Sequence, residues 1–147
     1  MKRINLFCLI MVLVIISSVL SETDQTRRDL MKNELSYREG YITFNDYNIW
    51  YRIVGEGEEP GKLPLLCLHG GPGTPHDYLE PLEAMAKTGR RVIFYDQLGC
   101  GNSDQPRDIS LWTVSLFLEE LAVVREALGL DSLHILGQSW GGMLAME

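Results

Sequence analysis

Gly137-Gln138-Ser139-Trp140-Gly141-Gly142 follows directly on the apolar stretch 132–136 and is the group of residues in this chain best suited to covalent chemistry. A serine with glycines two places before and two places after it fits a sharp strand-to-helix turn, because neighbouring backbone can then pass without Cβ clashes. Such a turn offers the Ser139 hydroxyl as a nucleophile for acyl transfer. Gly137 and Gly141 hold the two flanking positions. The spacing alone is a weak signal, since Gly and Ser are common residues, so the upstream context must carry the reading. A nucleophilic serine also needs a base to take its proton and a carboxylate to orient that base. The few residues after Ser139 contain neither His nor Asp, and Glu147, two turns along the expected helix, points away from the serine. The triad Asp and His are therefore absent from this chain on sequence grounds.

Two earlier blocks supply context. The apolar run 63–68 leads straight into His69-Gly70-Gly71-Pro72-Gly73, where glycines let a loop bring main-chain N–H groups against a substrate. Taken by itself this is also what an inert Gly/Pro turn looks like. The third block, Val92-Ile93-Phe94-Tyr95 followed by Asp96-Gln97-Leu98-Gly99-Cys100-Gly101-Asn102-Ser103-Asp104, is again a strand running into a glycine turn. HGGPG, DQLGCGNSD and GQSWGG, in that order and spacing, resemble the proline iminopeptidases of the α/β-hydrolase fold. YDQLGCGNSD, HDYL and SWGGMLA are similar to the branch containing tricorn-interacting aminopeptidases and amino-acid amidases. The resemblance covers roughly residues 41–147.

The resemblance implies a serine aminopeptidase that releases N-terminal proline or a small apolar residue, with a small peptide or amino-acid amide as substrate and no cofactor. It also implies that this chain is the N-terminal portion of a longer catalytic domain, with the cap and the C-terminal part absent. In hydrolases of this type one oxyanion donor is the N–H of the residue after the nucleophile, here Trp140, and the other lies in the loop after the third strand. Pro72 has no N–H, which favours Gly71 over Gly70. His69 takes a loop-shaping role rather than that of base. Asp96 and Gln97 end a strand at the edge where open α/β folds bind ligands; a structural role in the turn is favoured over substrate contact. Other α/β-hydrolase activities stay open, among them amidase, esterase and an epoxide hydrolase-like activity, although the last uses an Asp nucleophile. So does a catalytically inactive, truncated binding protein.

The remaining histidines offer no obvious base. His134 sits about 16 Å back along the strand entering the turn, a structural position, and His76 is read as a surface residue opening a helix. Neither Cys67 nor Cys100 has ligand-like spacing to a histidine, so no metal site is expected. A Cys67–Cys100 disulfide does not follow from sequence.

The elements needed to position these groups are legible. A hairpin over 39–43 and 49–54 turns at Asn45-Asp46. A third strand, a helix over 76–87, a strand at 91–95, an apolar helical stripe over 111–128 closed by Gly129, and a fifth strand then follow. This order predicts a mostly parallel sheet with flanking helices. Hydrophobic content of 46% and charged content of 22% suit a packed domain, and a formal charge of −7 with pI near 4.9 excludes a nucleic-acid footprint. Lys2 and Arg3, an apolar run over 6–16 and small residues up to Ser21 predict a cleaved leader, residues 1–21, ahead of residues 22–147. That implies a secreted protein with no stable membrane partner after cleavage; an uncleaved anchor is the alternative, short against the ~20 residues a spanning helix needs.

Overall fold

The computed structural model describes residues 35–147. The expected leader lies outside them.

Five strands form one mixed sheet in the order β1-β2-β4-β3-β5. β1 (Tyr37–Phe44) and β2 (Tyr47–Val54) make the expected hairpin. Asn45 and Asp46 turn it with φ of 48° and 67°, the paired positive values of a two-residue hairpin turn that Asn and Asp tolerate. β2 runs antiparallel to β4 (Val92–Tyr95), whereas β3 (Leu65–Leu68) runs parallel to both β4 and β5 (His134–Gly137). The sheet is thus parallel through β4, β3 and β5, which carry the candidate site, and antiparallel from β1 through β2 to β4.

Every residue of β3 and β4 is buried, as expected for strands covered on both faces. The two-residue period divides them. Leu66, Leu68, Ile93 and Tyr95 join a core with Phe117, Leu121, Val124 and Leu144. Leu65, Cys67, Val92 and Phe94 pack on the other face with Leu79. Cys67 and Cys100 are both free, buried thiols.

Two helical segments depart from expectation. His76–Thr88 is a 3₁₀ helix rather than an α-helix, with Pro81 inside it; the missing N–H and the bulk of the ring disfavour regular α-helical bonding there. The stripe expected to begin at residue 111 instead breaks after a 3₁₀ turn at Ile109–Leu111. α1 (Val114–Ala127) starts behind an N-cap, Thr113, whose hydroxyl accepts a bond from Leu116 N at 3.2 Å. Gly129 lies beyond its end with φ of 64°. α2 (Trp140–Met146) springs directly from Ser139. Among the described residues no helix is long and apolar enough to cross a membrane.

Candidate active site

Ser139 lies with Gln138 between β5 and α2, exposed, with φ 52° and ψ −114°. Positive φ is costly for a residue with a Cβ and marks stored backbone strain. The turn is tight enough to require its glycines. A Cβ on Gly137 would collide with the Gly141 carbonyl, and one on Gly141 with the carbonyls of Leu68 and His69. The elbow is therefore wedged against the end of β3. Gln138 N donates to Leu68 O at 3.1 Å and closes the same junction. Trp140 is the first residue of α2, so its N–H belongs to the helical first turn that has no intrahelical acceptor.

The loop after β3 approaches from the other side. Gly70 is already engaged: its N–H donates to Tyr78 Oη at 2.7 Å, and Tyr78 in turn donates to Gln138 Oε1 at 2.9 Å. A Cβ on Gly70 would strike the Gln138 side chain. Gly71 is exposed with φ 118°, precedes a cis bond to Pro72, and has Gly73 N and Thr74 N at 2.5 and 2.8 Å from where a Cβ would stand. The loop thus leaves Gly71, not Gly70, with an N–H free of the Tyr78 tie. Pro72 and Gly73 also line a cleft of about 230 Å³ with Leu98, Gly99 and Trp112. A larger groove of about 500 Å³, bounded by Tyr41, Tyr51 and the C-terminal end of α1, includes none of the candidate site residues.

Gln97 joins the three blocks. It is fully buried. Its backbone N–H donates to His69 Nε2 at 2.9 Å, its side-chain Nε2 to His69 O at 3.0 Å, and its Oε1 accepts from Trp140 Nε1 at 2.8 Å. His69 Nδ1 lies 2.9 Å from Gly70 O. Because the carbonyl accepts there and Nε2 accepts from Gln97, the proton belongs on Nδ1 and both nitrogens are used. Burial, opposed by the bond to Gly70, lowers the His69 pKa. A neutral imidazole committed at both nitrogens ties loops together and cannot serve Ser139 as base.

Asp96, one residue earlier, faces the opposite way. Its Oδ1 accepts from His76 N and His76 Nδ1, both at 2.9 Å, and its Oδ2 accepts from Asn102 N at 2.9 Å. Burial would push this carboxyl up, but the bonds from His76 and Asn102 hold it below the usual carboxylate range. His76 is not the surface residue expected from sequence. It is 3% exposed, and its ring lies on Trp50 with centroids 4.3 Å apart. An aromatic neighbour and a buried carboxylate bring it inside, and neither is visible in its local sequence. His134 is exposed on β5.

Two contributors were missed. Tyr78 bridges the glycine loop and the elbow, and HDYL shortly after HGGPG was its only signal. Glu120, fully buried on α1, accepts from Leu98 N at 2.8 Å and so holds the turn after β4. A carboxylate one helical turn beyond Phe117, on the apolar face, is a legible anomaly. Burial, partly offset by the Leu98 bond, raises its pKa to about 8.

A strand–elbow–helix serine beside a glycine loop at the carboxyl ends of parallel strands defines a class. The α/β hydrolase fold family matches residues 64–147, and the chain belongs to that family. Within it, the chain is similar to the proline iminopeptidase of Clostridioides difficile strain 630, at 53% identity over 108 residues, covering 74% of this chain and 36% of that protein. The proline iminopeptidase of Lactobacillus delbrueckii subsp. lactis is 53% identical over 111 residues, covering 74% and 37%. The crystal structure of the Mycobacterium smegmatis proline iminopeptidase superposes with a TM-score of 0.69 at 46% identity, covering 73% of this chain and 37% of that one. The chain spans a little over a third of the length of these relatives.

Proposed function

We propose that this chain carries the nucleophile and oxyanion hole of a proline iminopeptidase-like serine hydrolase. Ser139 attacks the carbonyl of an N-terminal prolyl or small apolar residue. The N–H groups of Gly71 and Trp140 receive the developing oxyanion, and the cleft beside Pro72 and Trp112 offers an apolar wall. The observation carrying this reading is the strained Ser139 elbow, wedged by Gly137 and Gly141 against the strand that delivers the glycine loop. His69 is committed at both ring nitrogens, and among the described residues no hydrogen bond joins Ser139 to His76 or His134, so this reading assigns the base and its orienting acid to none of the three.

A graft tests it. Residues 64–147 replace the matching stretch of the C. difficile proline iminopeptidase, and release of proline from a prolyl amide is measured. The expected result is turnover that Ser139→Ala lowers by more than about 10⁴-fold and that fluorophosphonate labelling assigns to Ser139. Turnover of simple esters faster than of prolyl amides would favour an esterase. We also propose that residues 1–21 are a cleaved leader. Protein secreted from an expressing host then begins at Glu22, and an intact Met1 in the membrane fraction overturns this.

A further inference from the structure

Two clusters of metal-ligating side chains occur among the described residues. In His69, Asp96 and Cys100 the ligand atoms are already used: His69 Nε2 accepts from Gln97 N, Asp96 from His76 and Asn102, and the Cys100 thiol donates to Gln97 O at 3.2 Å. A cation there would have to break the ties of the loops.

His76, Asp77 and Glu80 differ. Each offers one ligand atom, all within 4.8 Å of one another. The His76 side chain is only 4% exposed and its ring is fixed, with Nδ1 donating to buried Asp96 and one face on Trp50. That leaves Nε2, with Asp77 Oδ1 3.7 Å away, beyond hydrogen-bond reach. With the Nδ1 proton donated to Asp96, Nε2 presents its lone pair toward the Asp77 carboxylate, an arrangement that a cation between them would relieve. An imidazole whose other nitrogen is held by a carboxylate is the arrangement that fixes tautomer and basicity in metal-ligating histidines. Asp77 and Glu80 approach from the solvent side, with side chains 75% and 47% exposed. Glu80 is steadied by Arg52 at 3.0 Å, which also binds Glu39 and Glu83. Three carboxylates around one guanidinium leave a surplus of negative charge beside the cluster.

We propose that His76, Asp77 and Glu80 form a binding site for a zinc-type divalent cation at the start of the 3₁₀ helix, with Asp96 as the partner that orients the imidazole. One nitrogen and two carboxylate oxygens suit Zn²⁺ rather than Mg²⁺ or Ca²⁺, which take oxygen. Three protein ligands leave a position for water.

The test uses the full 147-residue chain, titrated with Zn²⁺ against a chromophoric chelator at neutral pH, with Co²⁺ absorption reporting ligand type. The expected result is a single bound equivalent, an affinity lowered about 10-fold or more by Asp77→Asn and again by Glu80→Gln, and no thiolate charge-transfer band with Co²⁺. Both positions are exposed, so the fold is retained, and Glu126→Gln, an exposed carboxylate on α1, serves as the unchanged control. Absence of binding, equal affinity in the Asp77→Asn/Glu80→Gln variant, or a thiolate band would each overturn the assignment.

Discussion

β3 and β5 lie side by side in register and both end in loops of the candidate site, yet they are held very differently. Every residue of β3 is buried, whereas His134 and Ile135 of β5 are exposed and Leu136 and Gly137 only half-buried. β3 has β4 on one side and β5 on the other; β5 pairs with β3 alone among the described strands. Ser139 nonetheless rides on the less covered strand. Its position is therefore fixed from one flank, through glycine contacts to the end of β3 and through side chains that cross from the β3 and β4 loops. The precision of the elbow is borrowed from its neighbour.

The strongest way to break that dependence is at the contact between backbones. Gly141→Ala places a Cβ against the carbonyls of Leu68 and His69, neither of which can rotate away as a side chain would. A loss of about 3 kcal/mol or more in urea unfolding is expected. Gly142→Ala, whose Cβ meets only the Gly137 carbonyl at 3.3 Å or more and where alanine is the better helix former, should cost far less; an equal loss would show that the wedge against β3 is not the cause. Next in size is Gln97→Ala, which strips the bonds from its side chain to His69 O and Trp140 Nε1. Leaving buried groups unpaired costs about 1–3 kcal/mol each, so a loss of about 2–4 kcal/mol is expected, with a change in Trp140 fluorescence. No fluorescence change would mean that the indole is held by Phe117, 5.5 Å away edge-on, rather than by Gln97.

This contrast also explains what could be read from the sequence. Features set by neighbouring residues were legible: the hairpin turn at Asn45-Asp46, the glycines around Ser139 and the stop at Gly129. Features set by contacts across the chain were not. His76 opens a polar-looking segment, and only the fold brings Asp96 and Trp50 to it. Gln97 was legible as a turn residue but not as the tie between His69 and Trp140, which are 28 residues before it and 43 after it. The 3₁₀ character of His76–Thr88 lay between these cases, since Pro81 was in plain view.

Glu120 sharpens the comparison from the β4 side. Its pKa stands near 8 in the folded protein against 4.5 ordinarily. Between those values the unfolded chain has released a proton that the folded chain keeps, so stability falls as pH rises through this window and levels off above it. The slope is about 1.4 kcal/mol per pH unit at most. Glu120→Gln keeps an oxygen for Leu98 N and removes the charge, so its unfolding midpoint should be flatter from pH 5 to 8. An unchanged slope would place the proton elsewhere.

The smallest effect on stability is expected at the exposed side of β5. Ile135 is 38% exposed, so Ile135→Lys removes little packing and should shift the unfolding free energy by no more than about 0.5 kcal/mol. The same residue lies on a strand whose outer backbone groups face no described partner, and an apolar edge of that kind is a template for association. A lysine there adds charge at the edge, the usual device against such pairing. Sedimentation velocity over a concentration series should show the wild-type chain associating and the Ile135→Lys chain remaining smaller at equal concentration. If the variant instead unfolds as readily as Gly141→Ala, then β5 is held by its own packing, and the elbow does not depend on β3 in the way its contacts imply.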